Sequence, residues 1–554
     1  MKIWIARLLG KDISIDFPAP WAADSTAIYR WLATWPNSDG PLPAEAETLP
    51  DEPSVIEDKI RWSAGALDGV FGHHVAEADD ETPVEAIMAA LRSVLHKPQQ
   101  QDIEQLYRLL CHASPLNYLD VLLPAVAQDP QLPANKLQAL AEWLATESPD
   151  RNAVKVAIAL LGFFPTQKSC QILSTLGAHD EFTLYAAVAL RSILPADEYE
   201  RAWLAMAKHA GGWGRVQLIE RLPEFLSKQS RDWLLREGYR NAVMYEYTAW
   251  HCATHGQLLQ AMQQLQAMQK LQTMQKLQTM QKQPDAPLLL GAAEILQALI
   301  NGGPAQDMYD YAEGALACEY YLRCLQAAPP AEIQHYLAAS DIARFAQEQN
   351  SEEEGVWDQA QCNNLVELAN VVMALPEWSG IIANNLQGSD TYLFNLAVSA
   401  SRLRQQDPWE SIFARQLADA ADNNWYQLMQ TAQPEHIARV ISLAEQQLDL
   451  EAIASGPGMA MGLGLEYQQH QALDFVLQDL KKFPGMGWSL LAVGLRSERI
   501  RDRSMALNAL DVWPQDDWSP DMSQALADSL CHEPDEQMRE RLHKLCVNLG
   551  ITTG

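Results

Sequence analysis

Apolar residues recur at helical spacing along most of this chain, and the recurrence itself repeats. The segments opening at Asp150, Asp180, Gly212 and Arg240 each start with a polar or glycine residue and run on as apolar helical patterns. Their starts lie 30, 32 and 28 residues apart, with room for a second helix between each pair. Segments from Asp502 and Glu536, 34 residues apart, repeat the form near the C-terminus. Two helices per thirty-odd residues predict an all-α chain, stacked as an alpha solenoid in which each repeat buries its surface against its neighbours. Asp150 stands where a helix N-cap is needed.

Four regions follow from this pattern. Residues 1–95 depart from the repeat and predict an irregular N-terminal cap. There Ile13, Ile15 and Phe17 alternate with Ser14 and Asp16, as in a short strand that pairs with Lys2–Arg7, although Ile3-Trp4-Ile5 could equally open a helix. A helix is expected from Trp21 to Trp35, and Pro41–Pro53 reads as a loop. Residues 96–258 form a first helical block and residues 286–554 a second.

Between the blocks, residues 259–285 carry a Met/Gln/Leu repeat. Its apolar positions, Met262, Leu265, Met268, Leu271, Met274, Leu277 and Met280, fall every third residue. A helix turns about 100° per residue, so each step of three falls about 60° short of a full turn. The stripe therefore winds around the helix, whereas a coiled coil needs a period of about 3.5. A frayed or partly exposed helix ending before Pro284 is expected, with some of the copies removable without unfolding the protein.

Charge narrows the function. Lys plus Arg total 40 against 71 Asp plus Glu, a formal charge of −31. Nucleic acid and anionic membranes are disfavoured as partners, because both need a cationic footprint, and a basic protein partner is favoured. The eight cysteines are scattered without a Cys-x-x-Cys pair and predict reduced thiols. Arg7 interrupts the N-terminal apolar run too early for a secretory signal. No apolar run reaches the length of a spanning helix. A cytoplasmic protein without a cofactor is expected.

Several clusters carry candidate chemistry. His73 and His74, with Asp68 and Glu77, are the most metal-like group, though neighbouring histidines on a helix point apart and no metal is the expectation. Glu466, His470 and Asp474 are four apart and would place a histidine between two carboxylates, either as an acid/base pair or as a surface ion pair. Arg496, Arg499, Arg501 and Arg503 form a basic island, either salt-bridged internally or facing a partner. Glu352, Glu353 and Glu354 are either a solvated loop or a contact for a basic partner. Gly456, Gly458, Gly462 and Gly464 lack the strand before and the Lys-Ser or Lys-Thr after that a phosphate loop requires.

The Asp150 and Asp502 segments resemble the second helix of HEAT repeats, with a polar cap, Val or Met near the start and Ala/Leu inside. The stretch from Pro434 through Tyr467-Gln-Gln-His-Gln-Ala-Leu-Asp-Phe-Val to Gly494-Leu-Arg-Ser is similar to a bacterial HEAT-type group loosely labelled limonene hydroxylase. The resemblance spans residues 430–515. It implies a HEAT-like solenoid and a protein-binding role. The label implies an oxygenase, but no flavin fingerprint, haem segment or iron triad accompanies it. Two functions are carried forward. The first is a scaffold for a basic partner, for instance a toxin-neutralising immunity-type protein. The alternative is a small-molecule enzyme built on Glu466, His470 and Asp474, or on the region around Gly65 to His74.

Overall fold

The structure is a computed structural model and describes residues 15–35, 40–52, 62–69, 83–274, 285–327, 331–351 and 355–551. Among these residues the fold is all-α. The one β-type pairing is an isolated parallel bridge between Ala460 and Arg499. No single described helix is long and apolar enough to cross a membrane. The chain divides into two compact units, Met1–Trp378 and Ser379–Gly554. The expected hairpin over Lys2–Phe17 falls mostly outside the described residues.

In the first unit, α1 (Ala134–Glu147), α2 (Arg151–Leu161), α3 (Gln167–Leu176) and α4 (Thr183–Ile193) are followed by α5 (Trp213–Glu220) and α6 (Glu246–His255). Then come α7 (Leu258–Met274), α8 (Ala286–Asn301), α9 (Gly314–Ala327), α10 (Gln334–Ser351) and α11 (Gln359–Met373). One series of helices packs in the order α2, α4, α5, α6, α8, α10. A second series packs α1 on α3 and, further along, α7 on α9 on α11. The helix starts are chemically marked. Asp150 accepts from the Ala153 N–H at 2.9 Å and caps α2 as its position suggests. Asp358 and Gln361 form a reciprocal capping box at α11.

Asp180 behaves differently. It does not cap α4, the helix it precedes. Its carboxylate accepts from the N–H groups of Gly211, Gly212 and Gly214 at 3.2, 3.0 and 2.6 Å, and so satisfies the start of α5. A Cβ on Gly214 would lie 2.7 Å from that carboxylate, so only glycine allows the approach.

The N-terminal segments are held to α2 by charge. Lys155 is only 3 % exposed. Its ammonium reaches Asp68 at 2.7 Å and Glu181 at 2.6 Å. Tyr185 donates to Asp68 at 3.1 Å, and the Gly65 N–H donates to Glu181 at 2.8 Å. One turn earlier, Arg151 forks onto Asp51 at 2.8 and 2.9 Å. The helix expected from Trp21 to Trp35 is confined to Ile28–Ala33. Trp21 instead stacks on Trp143 of α1 with ring centroids 4.9 Å apart, ahead of a turn in which the Ser25 N–H bonds the Ala22 carbonyl.

The Met/Gln/Leu segment shows its period mismatch directly. In α7 the buried positions are 258, 259, 262, 265, 266 and 269, a face of helical period. The sequence repeats every three, so Met268 and Leu271 turn outward, 53 and 56 % exposed. Gln269 takes the buried place and donates to the Cys324 carbonyl of α9 at 3.3 Å. All eight cysteines are free.

In the second unit the labelled helices are α12 (Pro434–Gln447), α13 (Gln468–Leu480), α14 (Trp488–Gly494), α15 (Ile500–Val512), α16 (Pro520–His532) and α17 (Glu536–Asn548). Helix α13 packs on α15 and α15 on α17, while α14 packs on α16. Trp409, Trp425, Leu473, Leu477, Leu491, Leu507 and Leu526 belong to one continuous core.

Two measurements test these assignments. Met262→Ala should cost about 2–5 kcal/mol in urea denaturation, because it empties a buried site, whereas Met268→Ala should cost under about 0.5 kcal/mol. The second concerns acid. Burial by itself would raise the Glu181 carboxyl, but Lys155, Arg151 and the Gly65 N–H outweigh it and hold the carboxyl below its ordinary range. A depressed folded value means stability that is complete above the ordinary Glu value of about 4.3 and is lost as pH falls through the folded one. Denaturation between about pH 5 and pH 3 should therefore show a shallower acid loss in Glu181→Gln than in the parent protein.

Candidate interaction site

The loop Gly456-Pro-Gly-Met-Ala-Met-Gly-Leu-Gly leads from the short helix Leu450–Ile453 towards α13. It is not free-standing. The Gly456 N–H donates to the Arg496 carbonyl at 2.8 Å and the Ala460 N–H to the Glu498 carbonyl at 3.3 Å. The Ile500 N–H returns a bond to the Ala460 carbonyl at 3.2 Å. Residues 456–460 of the loop are thereby laid along residues 496–500. Gly462 has φ +72°, and a Cβ there would lie 2.2 Å from Arg499 Nε, so glycine is required twice over.

Met459, Met461, Leu463 and Leu465 are 58, 75, 57 and 80 % exposed. Two methionines and two leucines are thus exposed within seven residues, on a loop whose first part is bonded to residues 496–500.

What fixes it is the basic island. Arg499 is buried and reaches Asp502 at 3.1 Å and Asp474 at 3.7 Å. Asp502, fully buried, also meets His470 Nδ1 at 2.8 Å and accepts from the Ser497 hydroxyl at 2.8 Å. Arg503, 1 % exposed, forks onto Glu533 at 2.7 and 2.9 Å and donates to the Ser497 and Glu498 carbonyls at 2.8 and 3.1 Å. Arg501 pairs with Asp474. Burial raises the Asp502 carboxyl above its ordinary range, partly offset by His470, Ser497 and Arg499.

The sequence-predicted residues are therefore redistributed. Glu466, His470 and Asp474 do not assemble as a trio. His470 turns to Asp502 and Ser497, Asp474 turns to Arg499 and Arg501, and Glu466 is exposed beside Gly464. Of the four arginines, Arg499, Arg501 and Arg503 are paired with acids, and Arg496 is exposed with its Nε on the Ala492 carbonyl of its own turn. Glu352, Glu353 and Glu354 lie outside the described residues, as do His73, His74 and Glu77. Asp68 is engaged by Lys155 and Tyr185. Among the described residues no group of three or more His, Cys, Asp and Glu is arranged to hold a metal.

His470, Ser497 and Asp502 have the composition of a hydrolytic triad but not its geometry. A triad puts the carboxylate on one ring nitrogen and the hydroxyl on the other. Here Ser497 and Asp502 both meet Nδ1, at 3.0 and 2.8 Å, and the hydroxyl is bonded to the carboxylate. The constellation braces the turn and does not activate the serine. An open cleft of about 440 Å³ is lined by Met429, Gln430, Thr431, Ala432, Lys482 and Phe483, without Glu466, His470 or Asp474.

The exposed strip was missed in the sequence because Met459, Met461 and Leu463 sit between glycines and read as spacers. Their alternate spacing was the available signal. A search for His-x-x-x-His spacing should have found His251 and His255, which stand in that pattern, contrary to an expectation that the chain holds none.

No protein-family model matches the chain, and neither the curated proteins nor the solved structures yield a match.

Asp502→Ala leaves Arg499 and His470 buried beside a missing carboxylate and should cost about 3–5 kcal/mol. Gly462→Ala should cost about 1–2 kcal/mol from the left-handed backbone alone. Chemical denaturation of the two variants, with Glu466→Gln as an exposed control expected within about 0.5 kcal/mol of the parent, checks both.

Proposed function

We propose that this protein is a protein-binding scaffold that engages a basic partner, with the Met459–Leu465 strip as its apolar anchor. The observation that carries the reading is that segment: four large apolar side chains exposed within seven residues, on a loop whose start is hydrogen-bonded to residues 496–500 and whose Gly462 lies against the buried Arg499. A contiguous exposed apolar patch of this kind marks an interaction surface. Methionine adapts its shape to what it meets, and a fixed backbone lowers the ordering cost on binding. The net charge of −31 supplies long-range attraction for a basic partner and sets its association rate more than its final affinity.

The alternating packing of helices in the first unit supports reading the chain as HEAT-like two-helix repeats in an alpha solenoid, an architecture suited to large binding surfaces. A neutraliser of a basic toxin is one concrete form of this role.

The test is affinity capture at low and high salt, with Met461→Ser/Leu465→Ser as the comparison. The expected result is one stoichiometric basic partner, weakened by salt, whose affinity falls about tenfold or more in the double variant. Equal capture by the double variant at unchanged melting temperature would remove the strip from the interface. Capture unaffected by salt would remove the electrostatic part.

A further inference from the structure

The first unit carries a pair of histidines that the reading above does not use. His251 and His255 are four apart on α6, so both rings leave the same face of one helix. Thr248, Ala249, Cys252 and Ala253 of α6 are buried, with Ala249 and Ala253 across the helix from the two rings. The helix is packed between α5 and α8 and also meets α7, so its backbone is held on several sides.

The rings themselves are placed. They lie nearly parallel, 13° apart, with centroids separated by 6.0 Å. The Trp250 indole stands edge-on to both, at 88° to His251 and 81° to His255. That indole is pinned in turn, because its N–H donates to the Asp310 carbonyl at 3.2 Å. Among the described residues neither imidazole makes a hydrogen bond, so the ring nitrogens are not committed to protein partners. His251 is half-buried and His255 exposed, which leaves the pair open on one side.

We propose that His251 and His255 together chelate a divalent first-row transition-metal ion of the imidazole-preferring class, such as nickel, copper or zinc. Imidazole nitrogen suits these ions, whereas magnesium and calcium prefer oxygen. Zinc–nitrogen bonds are about 2.0–2.1 Å, so two rings with centroids 6.0 Å apart can reach one ion between them once their nitrogens are turned towards it. Burial lowers the pKa of both histidines, and His255 adds to the effect on His251, which falls to about 4. Both rings are therefore neutral at neutral pH, the state that ligates. No third protein ligand completes the site among the described residues, so water fills the remaining positions and the ion is exchangeable.

The experiment uses the full chain without a histidine tag, stripped with chelator and titrated with nickel chloride. Calorimetry and tryptophan fluorescence are the readouts. The expected result is saturable binding of about one equivalent, quenching of Trp250, and no response to magnesium chloride. His255→Gln, an exposed position, should keep the metal-free melting temperature and lose about tenfold or more in nickel affinity, and His251→Gln should lose as much. Trp250→Phe should keep the calorimetric signal and lose the quenching. Absence of saturable nickel binding would overturn the proposal. So would undiminished binding in His255→Gln, which would place the ion on other histidines.

Discussion

Charge buried between helices must be paired, and much of this structure depends on how the pairing is done. A lone ammonium or guanidinium taken from water costs several kcal/mol, even after the protein relaxes around it. Lys155 and Arg503 are 3 and 1 % exposed. Each meets its carboxylate at 2.7 Å or less. Pairs of this kind add little net stability, but breaking one is expensive, so they specify which segments must lie together. In the first unit Lys155 ties the segment around Asp68 to α2 and α4 through Glu181. In the second, Asp502 and Glu533 gather Arg499 and Arg503 beneath a loop.

That second arrangement links energetics to function. The Gly456–Gly464 loop has little apolar burial of its own to define its shape. Its shape comes from backbone bonds to residues 496–500, which are in turn held by the buried ions. Glycine permits the close approach over Arg499. The apolar side chains are then free to face outward, since none is needed to hold the loop. In the scaffold role proposed above, the net negative charge would supply long-range attraction for a basic partner and the exposed methionines and leucines a short-range apolar anchor.

Helix positions were largely legible in the sequence. Local propensity and period 3.6 decide them, and an aspartate before an apolar run is a local signal, as Asp150 demonstrates. The drift of the Met/Gln/Leu repeat was legible for the same reason, since a three-residue period cannot stay on a helical face. The site was much less legible. The spacing of Glu466, His470 and Asp474 suggested one shared cluster, and the structure gives His470 and Asp474 partners some thirty residues away. Sequence distance carries no information about such contacts.

Three aspartates at corresponding places mark the limit. Asp150, Asp180 and Asp502 each open an apolar helical segment. Asp150 caps its own helix, Asp180 caps α5, and Asp502 pairs with Arg499 and hydrogen-bonds His470. The sequence by itself determined that helices begin near these residues, because capping and periodicity are local. Only the tertiary structure decided what each carboxylate does. A buried charge takes whichever donors the packing brings within about 3 Å, and packing is set by the whole chain.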